Sequence, residues 1–258
     1  MTFKNSNFSI NDKHQIQQVV DLITKELSNI LVGVYLFGSS TQSGLKKNSD
    51  LDFLVVTLES ISEDTRIYLT NELMTFSRKI GDNSDFRYIE LTNVVLKDIS
   101  PWKHPAYQDF LYGEWLRESF LIGDMSKRDI NSDVTIILYQ AKSHGLALVG
   151  SKEILPVIPF SDVKKAMNEM VSVVAEEVVE DSVNVILTLC RILYTLETKE
   201  IVSKDLAGNA VKSYFNLTHK RIIELAIKEY ISGESMVVEA QELVELANQL
   251  KIGIERKL

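Results

Sequence analysis

Two short apolar runs, separated by a polar loop and opening the second time on paired acids, constrain this chain more than any other feature. Residues 32–37 read Val-Gly-Val-Tyr-Leu-Phe, Gly38-Ser39 follow, and after ten further residues Asp50-Leu-Asp52 leads into Phe-Leu-Val-Val. Runs this apolar on both faces fit central strands, not surface ones. Strand side chains alternate with period two, so Asp50 and Asp52 leave from one face. Two carboxylates at the mouth of a buried strand are costly unless their charge is offset, and a divalent cation with oxygen ligands offers that. Gly38 lacks a Cβ and lets a phosphate approach its backbone, while Ser39 adds a hydroxyl and an N–H beside it. Singly, a Gly-Ser pair is a turn and Asp-x-Asp a solvated strand start or cap. Jointly, at this spacing, they describe phosphates held over a metal ion.

These residues carry a resemblance. Gly38-Ser39, the Gly44-Leu-Lys-Lys-Asn-Ser49 loop and Asp50-Leu-Asp52 resemble the signature of the nucleotidyltransferase superfamily. More narrowly, the chain resembles the bacterial aminoglycoside nucleotidyltransferases, the streptomycin and spectinomycin adenylyltransferases. Pro101-Trp102, Tyr112-Gly-Glu-Trp115, the run from Asn184 to Arg191 and Ser203-Lys-Asp205 look like that family's later blocks in the same order, so the likeness covers nearly the whole chain. It implies an α/β nucleotidyltransferase domain with a mixed sheet and flanking helices over residues 1–155. An all-α helical bundle over residues 156–258 would then close the active-site cleft.

Composition is compatible with that. A chain of 258 residues with 45% hydrophobic and 25% charged content has material for two modest cores. Its net charge of −8 argues against a groove for a nucleic-acid backbone and suits a cationic small substrate. A single cysteine, Cys190, cannot form an internal disulfide. No targeting or membrane-spanning run is evident, so a cytoplasmic protein is expected, acting without a membrane and as a monomer. His14, His104, His144 and His219 lack metal-ligand spacing.

Along the chain, apolar spacing predicts helices over residues 11–31, capped by Asn11 or Asp12, and 62–80, closed by Gly81. Residues 86–96 read as a strand with Glu90 in its middle, and residues 104–122 and 130–148 as helices, the latter interrupted by Gly145. Gly150 and the Pro156–Pro159 segment mark a boundary. Beyond it helices are expected near 162–179, 181–197, 203–215, 218–232 and 235–252, with Ser203 and Thr218 as caps. Glu90 either sits at a sheet edge in solvent or, on a strand beside Asp50 and Asp52, joins them in a three-carboxylate cluster.

The resemblance implies the second placement. It makes Glu90 the general base on the acceptor hydroxyl and Asp50 and Asp52 the ligands of one or two Mg2+ ions. It assigns Trp115 and Asp181 to the antibiotic and Asn184, Arg191, Lys204 and Tyr230, with Gly38 and Ser39, to ATP. Read alone, Arg191 is a snorkelling arginine and Lys204 an exposed lysine. Where family members that also accept streptomycin carry a Trp and an Asp, residues 171–179 contain no Trp and offer Ser172 and Glu177. The implied reaction is therefore transfer of AMP from ATP to the 9-hydroxyl of spectinomycin. The rivals are a wider acceptor range and an idle nucleotide-binding or antitoxin-like module.

Overall fold

The computed structural model describes residues 8–42, 44–46, 49–82 and 84–258. The chain forms two compact units, one ending at Ile158 and the other running from Pro159 to Leu258.

The first unit begins with helix α1 (Ile10–Glu26). Its cap is Ser9, not Asn11 or Asp12. The Asp12 N–H donates to Ser9 Oγ at 3.0 Å and the Ser9 N–H to Asp12 Oδ2 at 2.9 Å, which closes a reciprocal capping box. Strands β1 (Leu31–Phe37) and β2 (Leu51–Thr57) follow. Helix α2 (Glu63–Phe76) stops on an extended Ser77, earlier than the expected Gly81. Gly81, at φ +88°, instead belongs to a separate turn in which the Asp82 N–H donates to the Lys79 carbonyl at 3.1 Å. Strand β3 (Ile89–Val95) runs into the short helix α3 (Leu96–Ile99).

The helix expected over residues 104–122 does not form. The segment gives β4 (Ala106–Gln108), β5 (Phe110–Gly113), a 3-10 turn over Glu114–Leu116 and only one turn of helix, α4 (Arg117–Leu121). Phe110, Tyr112 and their neighbours satisfy helical spacing, but β5 completes hydrogen bonds on the edge of β3, and tertiary pairing outweighs local pattern. β6 (Asp129–Asn131) pairs with β4. α5 (Asp133–His144) ends at Gly145, where a Cβ would lie 2.5 Å from the Ala141 carbonyl oxygen. The residues beyond it, expected to continue the helix, form β7 (Leu146–Val149) instead.

Among the described residues the main sheet has the order β5-β3-β2-β1-β7, mixed because β2 and β3 are parallel while the other pairs are antiparallel. β2 lies at its centre, as its apolar composition requires, with Leu51 and Phe53 to Val56 fully buried. Leu51, Phe53, Val55, Ile89 and Leu91 share a core with Ile16, Val19 and Ile23 of α1 and Leu69 and Leu73 of α2. The even-numbered residues of β2 and β3 therefore face the other side.

The second unit is helical: α6 (Phe160–Glu176), α7 (Ser182–Thr198), α8 (Lys204–Val211), α9 (Leu217–Ser232) and α10 (Ala240–Glu255). α7 is the hydrophobic centre, burying Val185 to Leu187, Leu189, Cys190, Ile192 and Leu193 against the other four. Burial pushes the Cys190 thiol well above its ordinary pKa, which suits a core residue and not a nucleophile. Asn216, not Thr218, caps α9, accepting from the His219 N–H at 2.9 Å. Ser203 holds the cap position of α8 without making the capping bond.

Candidate active site

One row across the sheet collects the residues of interest. Asp52 on β2 is the register partner of Phe37 at the end of β1 and of Glu90 at the start of β3, and Glu90 pairs with Gly113 at the end of β5. Register partners project to the same face, so Asp52 and Glu90 stand side by side on the face turned away from α1 and α2. Asp50, two residues earlier, belongs to that face too. All three acids are half-buried.

The turn after β1 is built for this row. Gly38, at φ +70°, starts a 3-10 turn over Gly38–Thr41, and a Cβ on it would lie 1.9 Å from Asp52 Oδ2. Glycine is thus demanded twice, by backbone conformation and by a carboxylate lying against it. Ser40 and Thr41 close the turn on themselves, donating to the Phe37 carbonyl at 2.7 Å and the Gly38 carbonyl at 3.2 Å. Ser39 stays half-buried beside Gly38.

Trp115 flanks the row from the other side. Its indole lies over Gly113, where a Cβ would meet the ring at 2.4 Å, yet it is 55% exposed. Glu114 makes that display possible. Buried at 3% exposure, it accepts from the Tyr112 hydroxyl at 3.0 Å and is paired with the Arg117 guanidinium, which also donates to the Met74 carbonyl at 2.8 Å. The acid within the Tyr112–Trp115 block is therefore a structural post and the tryptophan beside it a projecting plate. An acid in an otherwise apolar run, with an arginine three residues on, was the available signal.

Among the described residues no three His, Cys, Asp or Glu side chains form a group able to hold a metal ion. Register places Glu90 beside Asp52, on the face to which Asp50 also belongs. Mg2+ is commonly held by one or two carboxylates together with substrate phosphates, and the paired oxygens of Asp50 and Asp52 next to a glycine turn fit that pattern.

In the second unit three of the five expected residues are joined by hydrogen bonds. Asn184, in the first turn of α7, donates from Nδ2 to Asp181 Oδ2 at 2.8 Å and accepts from Lys204 Nζ. Arg191 lies two turns further along α7, on the same stripe as Asn184. Tyr230 lies on α9, which packs on α7.

A mixed sheet whose central strand opens on two acids, with a glycine turn against one of them, is the working edge of a nucleotidyltransferase. Residues 17–99 match the polymerase beta nucleotidyltransferase family, and residues 153–252 match the C-terminal domain of aminoglycoside adenylyltransferase. The spectinomycin 9-adenylyltransferase of Enterococcus faecalis is 44% identical over 88% of this chain and 90% of its own. An aminoglycoside (3'')(9) adenylyltransferase from Klebsiella pneumoniae is 34% identical over 92% of each. The crystal structure of the E. faecalis spectinomycin adenylyltransferase with ATP and spectinomycin superposes with a TM-score of 0.90 at 41% identity, covering 94% of this chain and 99% of that one. The chain belongs to the aminoglycoside adenylyltransferases, ATP-using enzymes that modify antibiotics.

Proposed function

We propose that the protein transfers AMP from ATP to the 9-hydroxyl of spectinomycin. The observation that carries this reading is the row in which Asp52, Glu90 and the Gly113–Trp115 platform stand side by side on one face. It supplies a phosphate-facing acid, an acceptor-facing acid and an aromatic wall in sequence.

In the reaction the acceptor oxygen attacks the α-phosphorus of ATP, its proton passes to a Glu90 carboxylate oxygen, and the bond to pyrophosphate breaks in line. Glu90 acts as the general base. Asp50 and Asp52 would hold one or two Mg2+ ions, which supply charge neutralisation on the triphosphate. Gly38 and Ser39 offer backbone N–H donors to the phosphates, and Gly38 has no Cβ to stand between its backbone and the ligand. Arg191 and Lys204 hold the triphosphate chain, Asn184 and Tyr230 bind the same nucleotide, and Asp181 pairs with an ammonium of the drug. Trp115 packs against the aminocyclitol ring. Attaching AMP places bulk and negative charge on a cationic antibiotic, which abolishes its action on the ribosome.

Relatives named for spectinomycin alone support the narrow acceptor, as does the lack of a tryptophan in residues 171–179. The wider reading, with streptomycin as a second acceptor, draws on relatives whose names carry both positions at 33–34% identity. Pyrophosphate release by the purified protein with ATP and Mg2+ separates the two. We expect release with spectinomycin and none above background with streptomycin or without acceptor. Release with both drugs overturns the narrow specificity, and release with neither overturns the reaction.

A further inference from the structure

We infer that Arg87 is a positioning residue for this site, fixing the separation between the loop that delivers Asp50 and the strand that carries Glu90; the inference rests on the adenylyl-transfer reading above. Arg87 precedes Glu90 by three residues, so strand alternation sends its side chain toward α1, away from the reacting face. There it meets a buried polar clamp. Its Nε donates to Asp12 Oδ1 at 2.5 Å and its Nη1 to the Ser49 carbonyl at 3.1 Å. Its backbone is held at both ends by the fully buried Gln15: the Arg87 N–H donates to Gln15 Oε1 at 2.9 Å, and Gln15 Nε2 donates to the Arg87 carbonyl at 2.8 Å and the Phe76 carbonyl at 2.9 Å.

The consequence falls on Asp50. Its predecessor, Ser49, is tied through its carbonyl to the Arg87 guanidinium, and its successor, Leu51, donates its N–H to the Tyr88 carbonyl at 2.9 Å. The backbone of Asp50 is thus bracketed on both sides by bonds to the segment that leads into Glu90. With side-chain exposures of 17% for Arg87 and 5% for Asp12, the ion pair is shielded from water, so its geometry is firm. Arginine is required because one planar fork reaches two acceptors; a lysine ammonium keeps the charge but cannot span both in the same geometry.

The test compares Arg87→Lys with Ser9→Ala in the full-length protein. Ser9 caps α1 and bonds Asp12 but does not touch Ser49, so its loss loosens the same helix end without releasing the Asp50 loop. Both variants should lower Tm by a few degrees. Arg87→Lys should also reduce kcat about 10- to 100-fold with the KM for spectinomycin changed less than about threefold, and weaken Mn2+ binding to the complex with a non-hydrolysable ATP analogue about tenfold by electron paramagnetic resonance. Ser9→Ala should leave kcat and Mn2+ affinity at wild-type values. If Arg87→Lys does not fold, Asp12→Asn, which removes the anchoring charge but retains the guanidinium, should give the same split. Wild-type kcat and Mn2+ affinity in Arg87→Lys, or equal losses in Ser9→Ala, would overturn the assignment. A wild-type protein that releases no pyrophosphate with ATP and spectinomycin sinks the functional reading instead, and the Mn2+ comparison still judges Arg87.

Discussion

At the scale of single residues, Gly38 decides most. A methyl group there meets the Asp52 carboxylate and also forces an L-residue into positive φ. Relieving the collision requires Asp52 or the turn to move by an ångström or more, and displacements of that size cost catalysis about a hundredfold. Gly38→Ala should therefore lower kcat/KM at least about 100-fold while circular dichroism stays native, since the turn lies at the end of the sheet; a variant with wild-type kinetics would remove Gly38 from the site. Asp12 makes a different kind of claim. Burial opposes its charge, but hydrogen bonds from the Arg87 guanidinium and from Ser9 outweigh burial and hold the carboxyl below its ordinary value of 3.8. A depressed folded-state pKa stabilises the fold above the unfolded value, and that stability is lost as pH falls through the lowered one. Asp12→Asn should cost about 2 kcal/mol near neutrality. Its denaturant-derived stability should also fall less steeply than that of the wild type on acidification below about pH 4, and parallel curves would contradict the pairing. The shared face of Asp50 and Asp52 was legible in the sequence because period-two spacing and apolar flanks are local, whereas spacing alone left Glu90 open between a sheet edge and their neighbourhood, and it is the pairing of β3 with β2 that sets it beside Asp52. Arg87 and Gln15 were not legible, because their partners lie 38 and 72 residues away along the chain.

Elements were legible wherever one buried face dominated. The helices flanking the sheet and those of the second unit follow from 3.6-residue spacing, and their ends shift because Ser9, Ser77 and Asn216 make the capping contacts. Residues 104–122 misled because Phe110, Tyr112, Leu116 and Phe120 meet helical spacing almost as well as strand alternation, and only the open edge of β3 decides between them. The error matters for function: a helix would have buried Trp115, whereas the strand and 3-10 turn project it. Glu114 holds that turn. Glu114→Ala strands the Arg117 guanidinium, which is 13% exposed, and should destabilise the protein by about 3 kcal/mol. The same change should raise the KM for spectinomycin several-fold with the KM for ATP little altered, because the disturbed element carries Trp115, the proposed acceptor wall. Equal changes in both constants would show that Trp115 is not an acceptor wall.

At the scale of the whole molecule the difficulty is charge. A chain with net charge −8 presents an acidic row and must still hold a polyanionic nucleotide, so cations have to be supplied locally. Among the assigned residues, Arg191 and Lys204 of the second unit are the basic ones, while the acids Asp50, Asp52 and Glu90 belong to the first. If both units contribute to one nucleotide site, the stabilisation that ATP gives the protein depends on each. By mass action a ligand at a hundred times its Kd stabilises by about 2.7 kcal/mol, which for a chain of this size raises Tm by roughly 5–10 °C. Asp52→Asn and Lys204→Ala should each remove most of that shift in the presence of Mg2+, although the residues sit in different units and on different elements. Lys204→Ala should leave the melting curve without ATP nearly unchanged, because a half-buried lysine in a first helical turn contributes little to packing. A full ATP shift in Lys204→Ala would confine the nucleotide to the first unit and withdraw the phosphate-binding role from α7 and α8. A full shift in Asp52→Asn would instead withdraw the metal-binding role from β2.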